Sequence, residues 1–359
     1  MRFTASAGTA SATKLLVSML LVCAGAWSAS SAIAQTNRQI HLEVAAGRME
    51  PVATQQKWME LLSKVGADRI RSSTARSAGK VGIEERETSL GVVVKVRGVI
   101  QGKKLELPAG SFSQRDVEKI RRYIDALRLD GVETALADKK AFGLTSKQLV
   151  TLNQSLSKPL KLKTKGNDPL KLIQFAKTKV NYEIVLDRNA RAALASGGEL
   201  LDELNGLSLG TALAATLRPY GLVLQPVRDQ GQDIRLLVSD SRQAEEFWPI
   251  GWPAQGIPKD AAPGLFQKNL LEIRDFPLDQ VLSAIQSKAG LPMLFDYNSM
   301  ARREIDLATT KVTFVKKNVS YGHSLRKLLS KTKPPMHYEI RVDEAGKPFL
   351  WISTVAPVR

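Results

Sequence analysis

The sequence predicts an α+β chain in which three small α/β domains follow an export signal. Three observations lead to this prediction. The 359 residues are enough for two or three domains of about 100–200 residues each. Apolar runs are short and alternate between the spacing of strands and the spacing of helices. A plan of strand, helix, strand, short helix, strand, helix and hairpin also occurs twice, in residues 159–240 and 268–356.

Residues 1–34 have the layout of a secretory signal peptide. Arg2 and Lys14 are the charged residues of this segment, Leu15–Ala24 is apolar, and Ala32-Ile33-Ala34 supplies the small residues of a cleavage site. The apolar run is too short for a membrane span of about 20 residues. We therefore expect an exported protein of the periplasm or cell surface, with no transmembrane segment in the mature chain. In the alternative reading, a lipoprotein, Cys23 is the lipidated residue.

The single cysteine and the basic composition narrow the function classes. Cys23 lies inside the predicted signal, so cleavage after Ala34 leaves no thiol for a disulfide or a metal site. Loss of Arg2 and Lys14 with the signal lowers the net charge from +17 to +15. This excess favours an acidic envelope protein or an anionic envelope polymer as partner, and export argues against nucleic acid. Because the charge is spread along the chain, a generally basic solvated surface is the simpler alternative.

Residues 38–110 predict an N-terminal α/β domain. A strand over Ile40–Ala45 precedes a helix over Thr54–Val65, and further strands are expected near Ile70, at Val92–Ile100 and at Leu105–Leu107. A turn at Gln101-Gly102 joins the last two.

Residues 111–158 predict a helical connector. Ser113 and Asp116 resemble a capping box at the start of a helix, and Gly131 ends that helix. Its apolar face carries Val117, Ile120, Ile124 and Leu127. A second helix covers Ser146–Leu156 behind the cap Thr145.

The repeated plan begins with a strand in each copy, Leu160–Lys165 in the first and Leu271–Ile273 in the second. Pro169 and Pro277 then open a helix, and the next strands are Tyr182–Leu186 and Met293–Phe295. The match is strongest between Leu207–Leu217 and Val319–Leu329, which share Ser, Gly, Leu and Leu at equal offsets. A hairpin follows each of these helices, with Gly231 or Gly346 in its turn.

A Trp- and Pro-containing linker, residues 241–267, joins the two copies. Trp248 and Trp252 lie in it and are expected to pack between domains, because large aromatic rings in a connector gain most from burial. A platform that stacks on carbohydrate is the alternative for these two rings.

The repeated plan resembles the short N-terminal domain of secretins and TonB-dependent receptors. The resemblance rests on Pro169-Leu170, Asp187 at the end of a strand and Leu207–Leu217, and Pro277-Leu278, Asp296 and Val319–Leu329 are similar to a more diverged copy. It implies a periplasmic α/β module that makes protein–protein contacts: in secretins it stacks into rings and meets inner-membrane partners, and in the receptors it signals to regulators. It implies no catalysis. A pore or receptor function is not expected, because neither a secretin pore domain nor a plug and barrel follows.

The whole chain also resembles a group of secreted proteins of planctomycete bacteria. The segments that carry this resemblance are Ile40–Val44, Ala141–Thr145, Gly210–Leu213 and Trp248–Pro253. No biochemical role is implied by it.

Patterns typical of catalysis are not assembled in the sequence. His41, His323 and His337 are far apart and lack a second ligand at helical spacing, so structural or surface histidines are expected. Ser-x-x-Lys occurs at Ser155, Ser324 and Ser330, but the other motifs of penicillin-binding enzymes do not accompany it.

Carboxylates give no catalytic pattern either. Asp187 and Asp296 each end a strand before a short helix, where a side-chain oxygen caps free N–H groups. Glu84, Glu85 and Glu87 belong to an exposed polar run. We therefore expect a protein that is not an enzyme and that holds no metal or other cofactor.

Two groups of basic residues are candidates for a binding surface. Lys161, Lys163 and Lys165 would project to one side of the predicted strand Leu160–Lys165, and Arg326 and Lys327 on the later helix could extend an anion-binding surface. Lysines that protect an exposed edge strand from aggregation are the alternative. The favoured function is accordingly a non-enzymatic interaction or assembly module of the envelope, the second is a binder of anionic envelope polymers, and the third is an envelope hydrolase.

Overall fold

The structure is a computed structural model that describes residues 38–46, 50–73 and 80–355. The predicted signal peptide with Cys23 lies outside the described residues. Within the described ranges, no helix is both long and apolar enough to cross a membrane.

The predicted α+β class is confirmed, since helices and strands are present in similar amounts and the strands form several small sheets. The strands are β1 Arg38–Ala46, β2 Arg69–Ser73, β3 Gly82–Thr88, β4 Gly91–Gln101, β5 Lys104–Leu107, β6 Gly110–Ser113, β7 Glu183–Leu186, β8 Leu222–Val227, β9 Arg235–Asp240, β10 Trp252–Pro253, β11 Lys268–Pro277, β12 Met293–Phe295, β13 Lys311–Ser320, β14 His337–Val342 and β15 Pro348–Ser353. The helices are α1 Val52–Leu62, α2 Val117–Asp130, α3 Val132–Leu136, α4 Ser146–Leu156, α5 Pro169–Lys177, α6 Arg188–Ser196, α7 Leu209–Leu217, α8 Pro258–Ala261, α9 Leu278–Ala289, α10 Tyr297–Ala301 and α11 Tyr321–Leu329.

The N-terminal sheet has the order β2-β1-β4-β5-β6, with β3 also paired to β4. Strand β1 runs parallel to both β2 and β4, as expected for strands linked by the crossover helix α1. Helices α1 and α2 bury Trp58 and Leu127 in the core of this sheet. The run around Glu84 was expected to be exposed and polar; it is exposed, and it forms the antiparallel strand β3.

The helices of residues 111–158 contribute to two different cores. Helix α2 packs in the N-terminal core, whereas α4 buries Leu152 and Leu156 in the core of the first repeat. As predicted, Gly131 ends α2, with a positive φ of 81°, and Thr145 caps α4; the structure adds that Thr145 forms a complete capping box with Gln148. At α2 the cap residue is Asp116, and Ser113 donates to its carboxylate through both its N–H and its hydroxyl.

The two repeats contain the same three-stranded sheet. In the first repeat the order is β7-β9-β8, and in the second it is β12-β15-β14, with β10 added at the β14 edge. In both, the outer strand after the first helix runs parallel to the last strand, which pairs antiparallel with its hairpin partner. Helices α5 and α7 in the first repeat therefore correspond to α9 and α11 in the second.

The start of the first repeat departs from the prediction, since Leu160–Lys165 is not a strand. Pro159 forms an isolated antiparallel bridge with Ser208, and the Leu160 backbone bonds Gly206 and Leu207. After Leu160 the buried side chain of Thr164 connects this segment to the neighbouring loop. Its hydroxyl donates to the Asp202 carbonyl at 2.8 Å and accepts from the Leu204 N–H at 2.7 Å. Side-chain bonds thus replace the ladder that the alternating sequence predicts.

In the second repeat the corresponding segments form an antiparallel strand pair, β11 with β13. The linker between the repeats contacts both hairpins. The backbone N–H of Trp248 donates to the Leu224 carbonyl of β8 at 2.7 Å, and Trp252–Pro253 pairs with β14 as strand β10. The linker is therefore an ordered connection between the two sheets.

Candidate functional site

The β11–β13 pair, called the arm below, is the most exposed apolar structure of the second repeat. Its strands have ten residues each. Val312, Phe314 and Ile273 face the core, whereas Leu270 is 66 % exposed and Val315 is 81 % exposed. Exposed side chains of this size in a sheet mark an interaction surface more often than an isolated surface leucine does.

Two irregularities shape the arm. The register shifts between Leu271 and Ile273 and again between Ile273 and Phe276. Val315 lies within the first irregularity, and Asp275 lies in the second with a positive φ of 55°. A bulge inserts an extra residue into one strand and turns its side chain away from the regular alternation. Val315 points to solvent because it alternates with the buried Phe314, and the extra residue in the bulge shifts the alternation so that the next buried residue of the strand is Val319.

The arm has open backbone edges. Among the described residues, β11 and β13 pair with each other and with no third strand. Each strand therefore presents one row of N–H and C=O groups that an additional strand could bond.

The charge of the arm is basic. Arg274 pairs with Glu272 and Lys311 pairs with Asp275. Within the part of the chain that the structure describes, Lys268, Lys316 and Lys317 form no salt bridge, and all three are exposed. The arm thus combines exposed apolar groups, open edges and uncompensated positive charge.

The repeated plan expects a strand between the short helix and the next helix, without residues assigned to it, and β13 occupies this place in the second repeat. The spacing of Val312 and Phe314 and the β-branched residues around them are a strand signal that could have identified it. The openness of its edges depends on which strands meet in the fold, and no local pattern gives that.

The predicted basic residues are exposed but do not form one ladder. Lys161, Lys163 and Lys165 are all exposed on the loop between α4 and α5. Lys161 lines a concavity with Lys158 and Lys179, whereas Lys165 is close enough to Asp202 for its charge to lower the pKa of that carboxyl group. Arg326 and Lys327 are exposed on α11 of the other repeat.

The predicted packing residues lie at the junction of the repeats. Trp248 is 4 % exposed and stacks on Phe142 at 6.0 Å between ring centroids, and Trp252 meets it edge-on at 5.6 Å. The indole N–H of Trp248 donates to Glu344 Oε1 at 2.6 Å. Burial raises the pKa of Glu344, although this hydrogen bond opposes the rise.

The turn of the second hairpin caps a helix of the first repeat. The N–H of Ser208, the N-cap of α7, donates to Asp343 Oδ2 at 2.8 Å. The Thr211 hydroxyl donates to Glu344 Oε2 at 2.9 Å, and Lys347 Nζ donates to the Gly206 carbonyl at 2.9 Å. An N-terminal helix end with free N–H groups favours these carboxylates. No local pattern in the sequence indicates this contact.

A cleft of about 370 Å³ opens at the same junction, and Arg218, Asp296, Arg341 and Trp351 line it. The Arg341 guanidinium lies 5.5 Å from the Trp351 ring centroid and pairs with Glu339 at 2.7 Å. Arg218 Nε lies 3.5 Å from Asp296 Oδ1. Acidic neighbours thus balance both arginines, and the cleft has no excess charge that would select a ligand.

The three serines considered for catalysis, and the backbone of His323, have structural contacts. The buried Ser324 hydroxyl donates to the Tyr321 carbonyl at 2.8 Å, the Ser330 hydroxyl donates to the Lys327 carbonyl, and Ser155 accepts from the Asn181 N–H. The backbone N–H of the exposed residue His323 donates to the hydroxyl of Ser320, the N-cap of α11. In residues 38–46, 50–73 and 80–355 no group of three or more His, Cys, Asp or Glu is placed to hold a metal ion.

The two recurring aspartates cap helices, as predicted. Asp187 Oδ1 accepts from the Ala190 N–H at 2.6 Å, and Asp296 Oδ1 accepts from the Ser299 N–H at 3.4 Å. Asp296 is also buried and accepts from Ser353. Both carboxylates are thus used by the fold.

Comparison of the chain with models of known protein families, with curated proteins and with solved structures gave no match.

Proposed function

We propose that this chain is an exported, non-enzymatic interaction module of the cell envelope, and that its arm binds an extended acidic segment of a partner protein. The observation that carries the proposal is the combination, in strands β11 and β13, of open backbone edges with the exposed side chains of Leu270 and Val315. The resemblance to the secretin and TonB short N-terminal domain, which makes protein contacts, supports the same function.

Strand addition suits this surface. A partner strand would bond the free N–H and C=O groups of one arm edge, and its apolar side chains would cover Leu270 or Val315. Each apolar side chain removed from water in this way contributes about 1.5–3 kcal/mol before the cost of ordering the partner is subtracted. Backbone bonding alone accepts any sequence, so the side chains decide which partner binds.

The arm charge favours an acidic partner. Lys316 lies in the bulge beside Val315, Lys317 follows it, and neither forms a salt bridge among the described residues. Carboxylates of an added strand would pair with these lysines, and such pairs raise the association rate and select against basic segments.

Site-specific photo-crosslinking in envelope preparations tests the proposal. A photoreactive residue at Val315 or Leu270 should give one adduct with a second protein, and the same residue at Leu90, which is 79 % exposed on the N-terminal domain, should not. The variant K316E/K317E should lose the adduct by like-charge repulsion with an acidic segment. The control K103E/K104E, which reverses two exposed lysines at the β4–β5 turn and the first residue of β5, should keep it.

Three results would contradict the proposal. Equal labelling from Leu90 would show that contact with the arm is not specific. An adduct that persists in K316E/K317E would exclude an acidic partner segment. An adduct with the mass of two copies of this chain would show self-assembly through the arm in place of partner binding.

A further inference from the structure

A lysine-lined concavity on the first repeat has no role in the function proposed above. It has a volume of about 320 Å³ and is lined by Lys158, Pro159, Lys161, Phe175 and Lys179. Three of these five side chains are cationic, one is aromatic, and none is acidic. We refer to it as the lysine concavity.

The fold fixes the backbone on one side of the lysine concavity. Leu160, between the two lysines of the loop, is fully buried, and its backbone exchanges hydrogen bonds with Leu207 and Gly206 at 2.7 and 2.8 Å. Pro159 bridges to Ser208. Lys158 and Lys161 therefore extend from a segment whose backbone position is fixed by hydrogen bonds of both the N–H and the carbonyl of Leu160.

The other side is the end of helix α5. Phe175 is half-buried against the core of the first repeat, so its ring position is fixed while part of the ring remains accessible. Lys179 Nζ lies 5.6 Å from the ring centroid. Lys158 Nζ donates to the Lys179 carbonyl at 2.8 Å, which joins the two sides.

The three lysines are not neutralised by the protein. Considering the residues that the structure describes, no carboxylate lies within 4.0 Å of Nζ of Lys158, Lys161 or Lys179. Other lysines of similar exposure, such as Lys95 and Lys311, do have acidic partners. The lysine concavity therefore differs from the inter-repeat cleft, in which each arginine already has an acidic partner.

We infer that the lysine concavity binds an acidic polysaccharide, with carboxylate groups on the lysines and the apolar face of a sugar ring on Phe175. A sugar ring presents C–H groups of slight positive charge, and these pack favourably on the negative face of an aromatic ring. Successive charged rings suit the combination of several cations with one ring better than a small anion does. Phe175 thereby distinguishes this ligand from a polyanion without rings.

This inference gives a site and a ligand class to the second function expected from the sequence, the binding of anionic envelope polymers, and it is independent of the arm. Lys161 belongs to the basic residues singled out in the sequence. Lys158, Lys179 and Phe175 were not, because the fold brings them together from separate positions.

Binding of a fluorescent oligogalacturonate, which carries one carboxylate on each ring, tests the inference across a salt series. The variant K158Q/K161Q/K179Q should weaken binding about tenfold, and its salt dependence should fall by about one unit of slope per lysine removed. The control K57Q/K103Q/K288Q removes the same charge from three exposed positions outside the lysine concavity, and it should change the affinity less than about twofold.

The aromatic contribution is tested separately with F175L, which keeps the apolar packing and removes the ring. It should weaken binding of oligogalacturonate and leave the weaker binding of inorganic polyphosphate unchanged. Equal binding of both polymers by F175L and wild type would exclude ring stacking.

Other results would overturn the inference in distinct ways. Equal losses of affinity in both triple variants would show that the polymer binds a diffuse basic surface. Polymer binding would then be correct, but its assignment to the lysine concavity would be wrong. Tighter binding of a single-stranded oligonucleotide than of oligogalacturonate would assign the surface to nucleic acid. If the wild type binds no oligogalacturonate at low salt, both the site and polymer binding are wrong, whereas the arm proposal is unaffected.

Discussion

At the scale of single residues, the glycine shared by the two repeats has a packing reason. A Cβ on Gly210 would lie 2.1 Å from Glu344 Oε1 and 2.7 Å from Trp248 Nε1. A Cβ on Gly322, the equivalent residue, would lie 3.0 Å from the Tyr338 hydroxyl. In both repeats the helix start is approached so closely that a side chain at this position would displace a neighbour.

We expect G210A to destabilise the protein by about 1–3 kcal/mol through overpacking. Alanine is the better helix former by about 1 kcal/mol, so a loss of stability would show that the close contact outweighs helix propensity. Chemical denaturation measures the change. In the control G198A the new Cβ meets nothing within 4 Å, and its stability should stay within about 0.5 kcal/mol of wild type. A G210A protein as stable as wild type would contradict the close approach.

At the scale of elements, the segments that form a strand pair in the second repeat form two hydrogen-bonded loops in the first. In the second repeat they are the β11–β13 ladder, and in the first they are a loop pair held by the Thr164 side chain. The loop of the first repeat also contacts the second repeat: the Tyr297 hydroxyl of α10 donates to Asp202 Oδ1 at 2.6 Å. The loss of regular pairing in the first repeat thus accompanies a new contact between repeats.

The pH dependence of stability tests the Asp202 contact. Burial raises the pKa of Asp202 to about 6, although bonds from the Tyr297 hydroxyl and the Phe295 N–H oppose the rise. A carboxyl group with a raised pKa in the folded state stabilises it fully below the unfolded pKa of 3.8, and this contribution is lost as the pH rises through about 6.

Relative to D202N, the wild type should therefore gain about 1 kcal/mol in free energy of unfolding when the pH falls from about 8 to about 5. Denaturation curves of both proteins across this range measure the difference. D260N, at an exposed position, should follow the wild-type curve. Parallel curves for wild type and D202N would show that the Asp202 carboxyl does not titrate in this window.

Regular elements were predictable where local signals agreed. The cap Thr145, the helix end at Gly131 and the proline that opens α5 are all present in the structure. The strand expected at Leu160–Lys165 was wrong because Thr164 bonds the neighbouring loop through its hydroxyl, and alternation of lysines does not reveal such a bond. Of the candidate sites, Lys161 and the two tryptophans were predicted, whereas the arm and the rest of the lysine concavity were not.

At the scale of the whole molecule, the repeats share their interior. Leu294, Phe349 and Trp351 of the second repeat belong to the apolar core of the first. The N-terminal sheet has a separate core and is joined to the first repeat by an ion pair, in which Arg228 binds both oxygens of Asp130 at 2.6 and 3.2 Å. The Gly231 N–H donates to the same carboxylate. The Asp130 side chain is 4 % exposed.

Removing the Asp130–Arg228 ion pair should strongly destabilise the protein. D130A leaves the Arg228 guanidinium buried without its partner, and we expect a loss of about 3–5 kcal/mol in free energy of unfolding. The comparison variant D229A breaks the exposed pair with Arg235 and should cost less than about 1 kcal/mol. Hydrogen exchange should rise at the turn around Gly231 in D130A alone. Similar losses in the two variants would show that the Asp130 contact does not hold the N-terminal sheet in place.

The α+β class, most helix limits and the duplicated plan could be read from the chain alone, because they depend on neighbours within a few residues or on a period that is visible along the chain. Only the folded structure shows which strands have open edges, which lysines meet around Phe175, and that carboxylates of one repeat cap a helix of the other. Each of these joins residues that are distant in sequence, and burial or pairing at such a distance depends on the packing of the complete fold.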